Sequence, residues 1–340
     1  MKFSWWNFIG TQWSRPLPVA HEDLFGQTVV VLGANTGLGL DAAKHFARMK
    51  PGKLVLACRS RSKGEEALTA IRQETGYERG EVWVVDLADF TSVSRFAEKF
   101  DAEEARLDIL MANAACEMAT YEFTGDEYET TVQVNHFSTA LVSLLLLPKM
   151  VSTSKLGNST RKPRIVVVTS AFHHLYQFDA RALTKKSVLA YVSGPEHCNP
   201  AEQFIGARVY CLTKLLNVFF ARALVSRLPM IGAPVIVTLV EPGYCYSSLR
   251  RNLIGLQSLF NPVWQFLLAR STEVGSRQLI CAALGFNDDE VQGQYIDTFA
   301  ISEVADYVLE RRDLEDRLWW SSMYWDITIL KLTAPRRSLT

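Results

Sequence analysis

Thr28-Val29-Val30-Val31-Leu32, running straight into Gly33-Ala34-Asn35-Thr36-Gly37-Leu38-Gly39, is the stretch whose reading decides the fold. The first five residues are β-branched and apolar without alternation, as a strand buried on both faces of a parallel sheet must be. Leu40 to Arg48 then reads as a helix. Glycines between a strand and a helix let the backbone turn tightly and approach a pyrophosphate. The helix end supplies unpaired N–H groups and the positive end of its dipole. An ordinary glycine-rich turn is the competing reading, and the strand and helix on either side weigh against it.

A second signal lies far downstream in Tyr210-Cys211-Leu212-Thr213-Lys214. Residues four apart share one helix face. A lysine ammonium near a phenol favours the phenolate and pulls its pKa down from about 10. Tyr210 is thereby a candidate general acid or base. Tyr-x-x-x-Lys also occurs by chance on half-exposed helices, so the pattern needs its context. Arg164-Ile165-Val166-Val167-Val168-Thr169-Ser170 supplies part of it: another buried-strand pattern with hydroxyls at its carboxyl end, where ligands bind in open α/β sheets.

With Gly-x-x-x-Gly-x-Gly and Tyr-x-x-x-Lys together, the chain resembles the short-chain dehydrogenase/reductase family over roughly residues 26–300. The resemblance is to its retinol-dehydrogenase-like branch, including fungal members of secondary metabolism. It rests also on Asp86-Leu87-Ala88-Asp89, Gln133-Val134-Asn135-His136 and Gly293-Gln294-Tyr295-Ile296. It implies a Rossmann-type α/β fold: a doubly wound parallel sheet of about seven strands with helices on both faces. Leu32 departs from the family, which often has Thr before the first glycine.

By the same resemblance the cofactor loop is Gly33, Asn35, Thr36, Gly37, Leu38 and Gly39. Strand Lys53–Cys58 ends without the acidic residue that would bond the ribose hydroxyls of NAD, and Arg59, Ser60 and Arg61 follow. A guanidinium grips a phosphate and stacks on adenine, which predicts NADP(H) with Arg59 as the discriminator. A solvated basic turn is the alternative. The strand read over Glu81–Val85 leads to Asp86 and Leu87, where the family meets the adenine; the one over Leu107–Met111 leads to Asn113, read as structural. The resemblance makes Ser170, not Thr169, the holder of the substrate oxygen and Tyr210 the proton donor. Lys214 bonds the nicotinamide ribose, and Asn135 organises a water. Pro242 and Gly243, after strand Pro234–Val240, form the turn over the nicotinamide, with Ser247 at its carboxamide. His173 and His174 read as loop or pocket wall.

The chain has 340 residues, 36 basic and 36 acidic, and 48% hydrophobic residues. Zero net charge gives no case for nucleic acid. Six scattered cysteines and six histidines show no metal-ligand spacing, and the cysteine usage suggests a reducing compartment. No stretch reads as long and apolar enough to span a bilayer, and Leu144–Leu147 reads as a core helix ending at Pro148. The expected organisation is an aromatic arm (1–25), one catalytic domain (26–300) and a tail (301–340) packed on the domain. The arm, with Trp5, Trp6, Phe8 and Trp13, either folds back over the domain or sits in a membrane interface, and fold-back is favoured. The expected location is therefore cytoplasmic, with peripheral membrane contact through residues 1–15 left open. A homodimer is usual for the family.

Substrate selection is expected from two segments, 171–209 and 244–275. The first holds Tyr176, Phe178, Tyr191, Pro195, Pro200 and Phe204; the second holds Phe260, Trp264 and Phe266. Their apolar content implies a bulky lipophilic carbonyl or alcohol. Two readings of other classes stay open: a non-catalytic NADP(H) sensor or scaffold, and a membrane-peripheral lipid-handling protein. The intact Tyr210 and Lys214 count against the sensor.

Overall fold

Side chains of β1 (Thr28–Leu32) alternate between two separate cores, Val29 and Val31 in one, Val30 and Leu32 in the other. Period-two alternation with both faces apolar requires helices on both sides. The computed structural model, which describes residues 4–156, 161–199, 203–246 and 268–323, shows that arrangement. Helix α1 (Trp5–Gln12) precedes the sheet, and α2 (Gly37–Arg48), β2 (Lys53–Cys58), α3 (Arg61–Thr75), β3 (Gly80–Val84), α4 (Phe90–Glu103) and β4 (Ile109–Ala112) form its first half. Helix α5 (Thr130–Thr153), β5 (Arg164–Val168), α6 (Gly206–Arg227), β6 (Ile236–Glu241) and α7 (Thr272–Leu284) build the second. Then come β7 (Tyr295–Asp297), β8 (Ala300–Ser302) and α8 (Asp313–Met323).

The strand order is β3-β2-β1-β4-β5-β6-β7-β8. Every pairing is parallel except β7 with β8. The order reverses between β1 and β4, so the carboxyl ends of β1, β4 and β5 open onto one crevice. Helices α4, α5 and α6 bury the face with Val30 and Leu32; α2, α3 and α7 bury the other.

Four expectations are corrected. Among the described residues the sheet has eight strands rather than about seven, because Thr298 and Phe299 turn β7 back with φ of 50° and 62°. Such a two-residue turn favours Asn or Gly, and neither is present to signal it. Helix α5 does not end at Pro148 but carries it internally, with the ring on an exposed position and apolar side chains packed below. Among the described residues two helices, Thr130–Thr153 and Gly206–Ile231, are after all long and apolar enough to cross a membrane by length and composition; their most apolar windows are 61% and 78% buried inside the protein, as core helices are. Finally, Tyr176 and Phe178 belong to the core beneath α6, not to a pocket wall, and Phe178 meets Phe219 at 6.4 Å between ring centres.

The described part of the last 40 residues packs on the domain. Arg222 bonds Glu315 at 2.6 Å, and Phe220 stacks on Trp319 at 6.3 Å. Ser247, Pro200, Phe260, Pro262, Trp264, Phe266 and Trp325 lie outside the described residues.

Candidate active site

The turn after β1 is shaped by contact. Gly33 has φ +72°, and a Cβ there would lie 3.0 Å from Ala114. At Gly39 a Cβ would sit 2.3 Å from the Gly33 carbonyl oxygen, so only glycine lets α2 close onto the strand. The Asn113 amide ties the arrangement together by donating to the carbonyls of Leu32 at 3.0 Å and Gly33 at 3.5 Å. Asn113 is therefore a brace between β4 and β1. Gly37 opens α2 with φ +59°, and its nearest outside atom is 4.0 Å away. Thr36 caps the helix without a side-chain hydrogen bond, and Asn35 and Leu38 flank it. The room beside Gly37, at a helix start whose first N–H groups have no side-chain cap and whose dipole end is positive, fits a pyrophosphate.

At the end of β2, Arg59 is exposed and has no hydrogen bond or ion pair with the described residues. Arg61 lies 3.8 Å from Glu65, and Ser60 caps α3 through Lys63 N–H. Asp86, beyond β3, accepts from Ala88 N–H at 2.9 Å, and Leu87 is buried beside it. A partnerless guanidinium at the strand end suits a 2′-phosphate.

Thr169 and Ser170 separate cleanly. Thr169 is buried and spends its hydroxyl on the Lys214 carbonyl at 2.9 Å. Ser170 lines the cleft and accepts from Phe172 N–H at 3.3 Å, starting a turn of 3-10 helix over Ala171–Leu175. Tyr210, one turn into α6, lines the same cleft. Behind it Lys214 is only 2% exposed, its ammonium 5.3 Å from the Tyr210 ring centre. Burial pushes Lys214 down to about 8. Its Nζ donates to Val168 O at 3.1 Å, one of three donors, and has no other hydrogen bond with the described residues. Such a buried, under-used ammonium fits a nicotinamide ribose.

Asn135 sits in a π-helical turn, Gln133–Phe137, within α5. Its side chain accepts from Cys116 N–H at 2.7 Å and donates to Cys116 O at 2.8 Å and Thr213 Oγ1 at 3.2 Å. Its carbonyl accepts from Asn217 at 3.0 Å. It makes no direct bond to Lys214. His173 also turns inward: Nδ1 donates to Ser170 O at 2.7 Å while Nε2 accepts from Ala305 N–H at 3.1 Å. That tautomer is neutral, and burial holds His173 at about 3. It is a strut beneath Ser170, not a pocket wall.

Sequence reasoning did not single out four contributors, although Phe172 and Tyr244 fall within the two segments, 171–209 and 244–275, expected to select the substrate. Glu241 ends β6 opposite Asp297 on β7 and accepts from the N–H of Gly243 at 3.0 Å and of Ala171. It thus joins the Ser170 turn to the Pro242-Gly243 turn. Burial and the Asp297 charge push its carboxyl up to about 8. Phe8, Phe172 and Tyr244 are the aromatic walls. A run of Glu-Pro-Gly after an apolar strand was the only sequence signal for Glu241; nothing local signalled Phe8. The cleft lies open to solvent between Leu38, Thr169, Ser170, Tyr210, Glu241 and the Pro242–Cys245 turn. A proton donor, an oxygen-holding hydroxyl and a phosphate-binding helix end facing one cleft are equipped for hydride transfer to or from a carbonyl carbon. Among the described residues no His, Cys, Asp and Glu cluster suits a metal ion.

Comparison with known proteins agrees with this geometry. The family model described as short chain dehydrogenase matches residues 27–181. A short chain dehydrogenase/reductase of Cryptosporiopsis, dmxR8, is 33% identical over 319 residues, covering 92% of this chain and 94% of its own. Retinol dehydrogenase 12 of Bos taurus is 33% identical over 299 residues, covering 87% and 85%. A crystal structure of a Mycobacterium paratuberculosis protein superposes with a TM-score of 0.65 at 23% identity, covering 90% of this chain and 94% of that one.

Proposed function

Because the chain belongs to the short-chain dehydrogenase/reductase family and is thus a nicotinamide-dependent oxidoreductase, we propose that it is an NADP(H)-dependent enzyme acting on a bulky lipophilic carbonyl or alcohol. Terpenoid, polyketide, steroid and retinoid types are the classes intended. The observation that carries this reading is one cleft in which Ser170 and Tyr210 face aromatic walls of Phe8, Phe172 and Tyr244. Likeness to fungal relatives supports a place in secondary metabolism.

When bound, the nicotinamide supplies or accepts the hydride. Ser170 holds the substrate oxygen by its hydroxyl, and Tyr210 gives that oxygen a proton. The Lys214 ammonium stabilises the phenolate left behind and offers its two remaining donors to the ribose. Asn135 holds the Cys116 loop and the Thr213 hydroxyl in place beside it. Pro242 and Gly243 would cover the nicotinamide. Arg59 and Ser60 hold the 2′-phosphate, and Asp86 and Leu87 flank the adenine. We read residues 26–300 as the catalytic unit.

The test is NADPH consumption by the purified protein with a panel of hydrophobic and small polar carbonyls, with NADH in parallel and Tyr210→Phe as control. Turnover of hydrophobic carbonyls, lost in the variant and weak with NADH, supports the reading. Faster turnover of small polar ketones overturns the substrate class; tight NADPH binding without turnover of any carbonyl favours the sensor.

A second reading has one observation of its own: Trp5, Trp6 and Trp13 are 56%, 84% and 70% exposed on α1 and just after it. Tryptophan favours the membrane–water interface, so we propose peripheral membrane contact there. Loss of liposome flotation on replacing Trp5 and Trp6 by Ser would support it; no flotation by the native chain would overturn it.

A further inference from the structure

Helix α1 is clamped over the mouth of the cleft. Its carbonyl end meets Arg270, which is only 7% exposed. The guanidinium donates to Thr11 O, to Gln12 O at 3.3 Å and to Ser14 Oγ at 2.9 Å. A cation there satisfies helix-end carbonyls and opposes the negative end of the dipole. Arg270 is itself fixed to the turn over the nicotinamide: its N–H donates to Tyr244 O at 2.8 Å, and Tyr246 N–H donates to its carbonyl at 2.9 Å. Gln12, 6% exposed, closes the clamp by accepting from Tyr244 N–H at 2.9 Å. One turn back, Phe8 enters the cleft wall, 6.1 Å from Phe172 between ring centres.

An element from the far N-terminal end of the chain thus supplies a wall within the same cleft as Ser170 and Tyr210. We propose that α1 is a specificity element of this enzyme. Phe8 is the surface on which the carbon skeleton of a bulky substrate packs, and Arg270 positions it. This rests on the carbonyl-reductase reading, whose chemistry takes place beneath that wall. The ligand class is an apolar chain or ring system bonded to the reacting carbon; small carbonyls reach Ser170 and Tyr210 without touching Phe8. An apolar contact in such a pocket is worth at least about tenfold in discrimination.

The experiment compares kcat/KM for decanal and propanal with NADPH, in native protein and in Phe8→Ala, Phe8→Leu and Arg270→Gln. In Phe8→Ala the decanal-to-propanal ratio should fall at least about tenfold, mostly through the KM of decanal, with partial recovery in Phe8→Leu and NADPH affinity unchanged. Arg270→Gln should lower the ratio in the same direction. An unchanged ratio, or an equal fall for both aldehydes, would overturn the proposal. Hydrogen exchange of the NADPH-loaded protein with saturating decanol reads the contact without turnover. Slower exchange at residues 5–12 and 243–246 is expected, and no change there would overturn it. Protection without turnover of any aldehyde would leave α1 as the ligand wall while the reductase reading fails.

Discussion

The Lys214 ammonium donates to the Val168 carbonyl at 3.1 Å while the Lys214 carbonyl accepts from Thr169 at 2.9 Å. These two reciprocal bonds lock α6 to the end of β5. The elements that carry Ser170 and Tyr210 are therefore held together by two side-chain-to-backbone bonds, one from each element. A lysine fixed in this way is buried with two donors in reserve, and its pKa falls accordingly.

Replacing Tyr210 by Phe should lower kcat for carbonyl reduction by about 10²–10⁴, the usual contribution of a positioned acid. The ring stays and Lys214 keeps its bond to Val168, so NADPH affinity should change by less than about threefold. Fluorescence titration alongside steady-state kinetics checks this; a large loss of NADPH affinity would place Tyr210 in binding instead.

Lys214→Met should change stability in a pH-dependent way. The folded lysine titrates near 8 and the unfolded one near 10.5. Between those values the unfolded chain binds more protons, so the native protein gains stability as pH rises, by roughly 3 kcal/mol in all. The methionine variant lacks this gain. Urea unfolding of both proteins without cofactor at pH 7.5 and 10 measures the difference; parallel pH profiles would contradict the buried ammonium.

Glu241 acts with the opposite sign. Its folded pKa is raised to about 8, so from about pH 4.5 to 8 the folded protein binds the extra proton. Native stability should fall across that window relative to Glu241→Gln, which stays neutral. Unfolding midpoints at pH 5 and 8 decide it, and a native protein that gains stability relative to the variant would refute it.

Arg59→Glu should raise the NADPH dissociation constant at least about tenfold while NADH binding holds or improves. Losing one charge-assisted contact costs about 1.5–3 kcal/mol, and the new carboxylate repels the phosphate. Equal effects on both cofactors would mean that Arg59 does not read the 2′-phosphate.

Gly39→Ala should abolish NADPH binding and lower stability, because its Cβ would meet the Gly33 carbonyl at 2.3 Å. Gly125→Ala is the control, since no atom lies within 4 Å of its Cβ position. Thermal denaturation and NADPH titration of the two variants test it.

The β1 segment and its glycines announced a doubly wound sheet, because a strand buried on both faces must be apolar throughout and a phosphate turn must be glycine-rich. Tyr210, Lys214 and Ser170 were legible for a similar reason: each motif lies within one element or at its end, where residue spacing fixes geometry. The π turn that places Asn135, the extra β8 and the continuation of α5 through Pro148 had no such local mark. Phe8, Gln12, Arg270 and the Glu241–Asp297 pair were decided by tertiary structure alone. Their partners lie on other strands or at the far end of the chain, so their meeting depends on which surfaces the sheet brings together. The sequence by itself determined the fold and the chemistry-bearing residues; folding decided what stands around the substrate, because walls and clamps are made by long-range packing that no local pattern encodes.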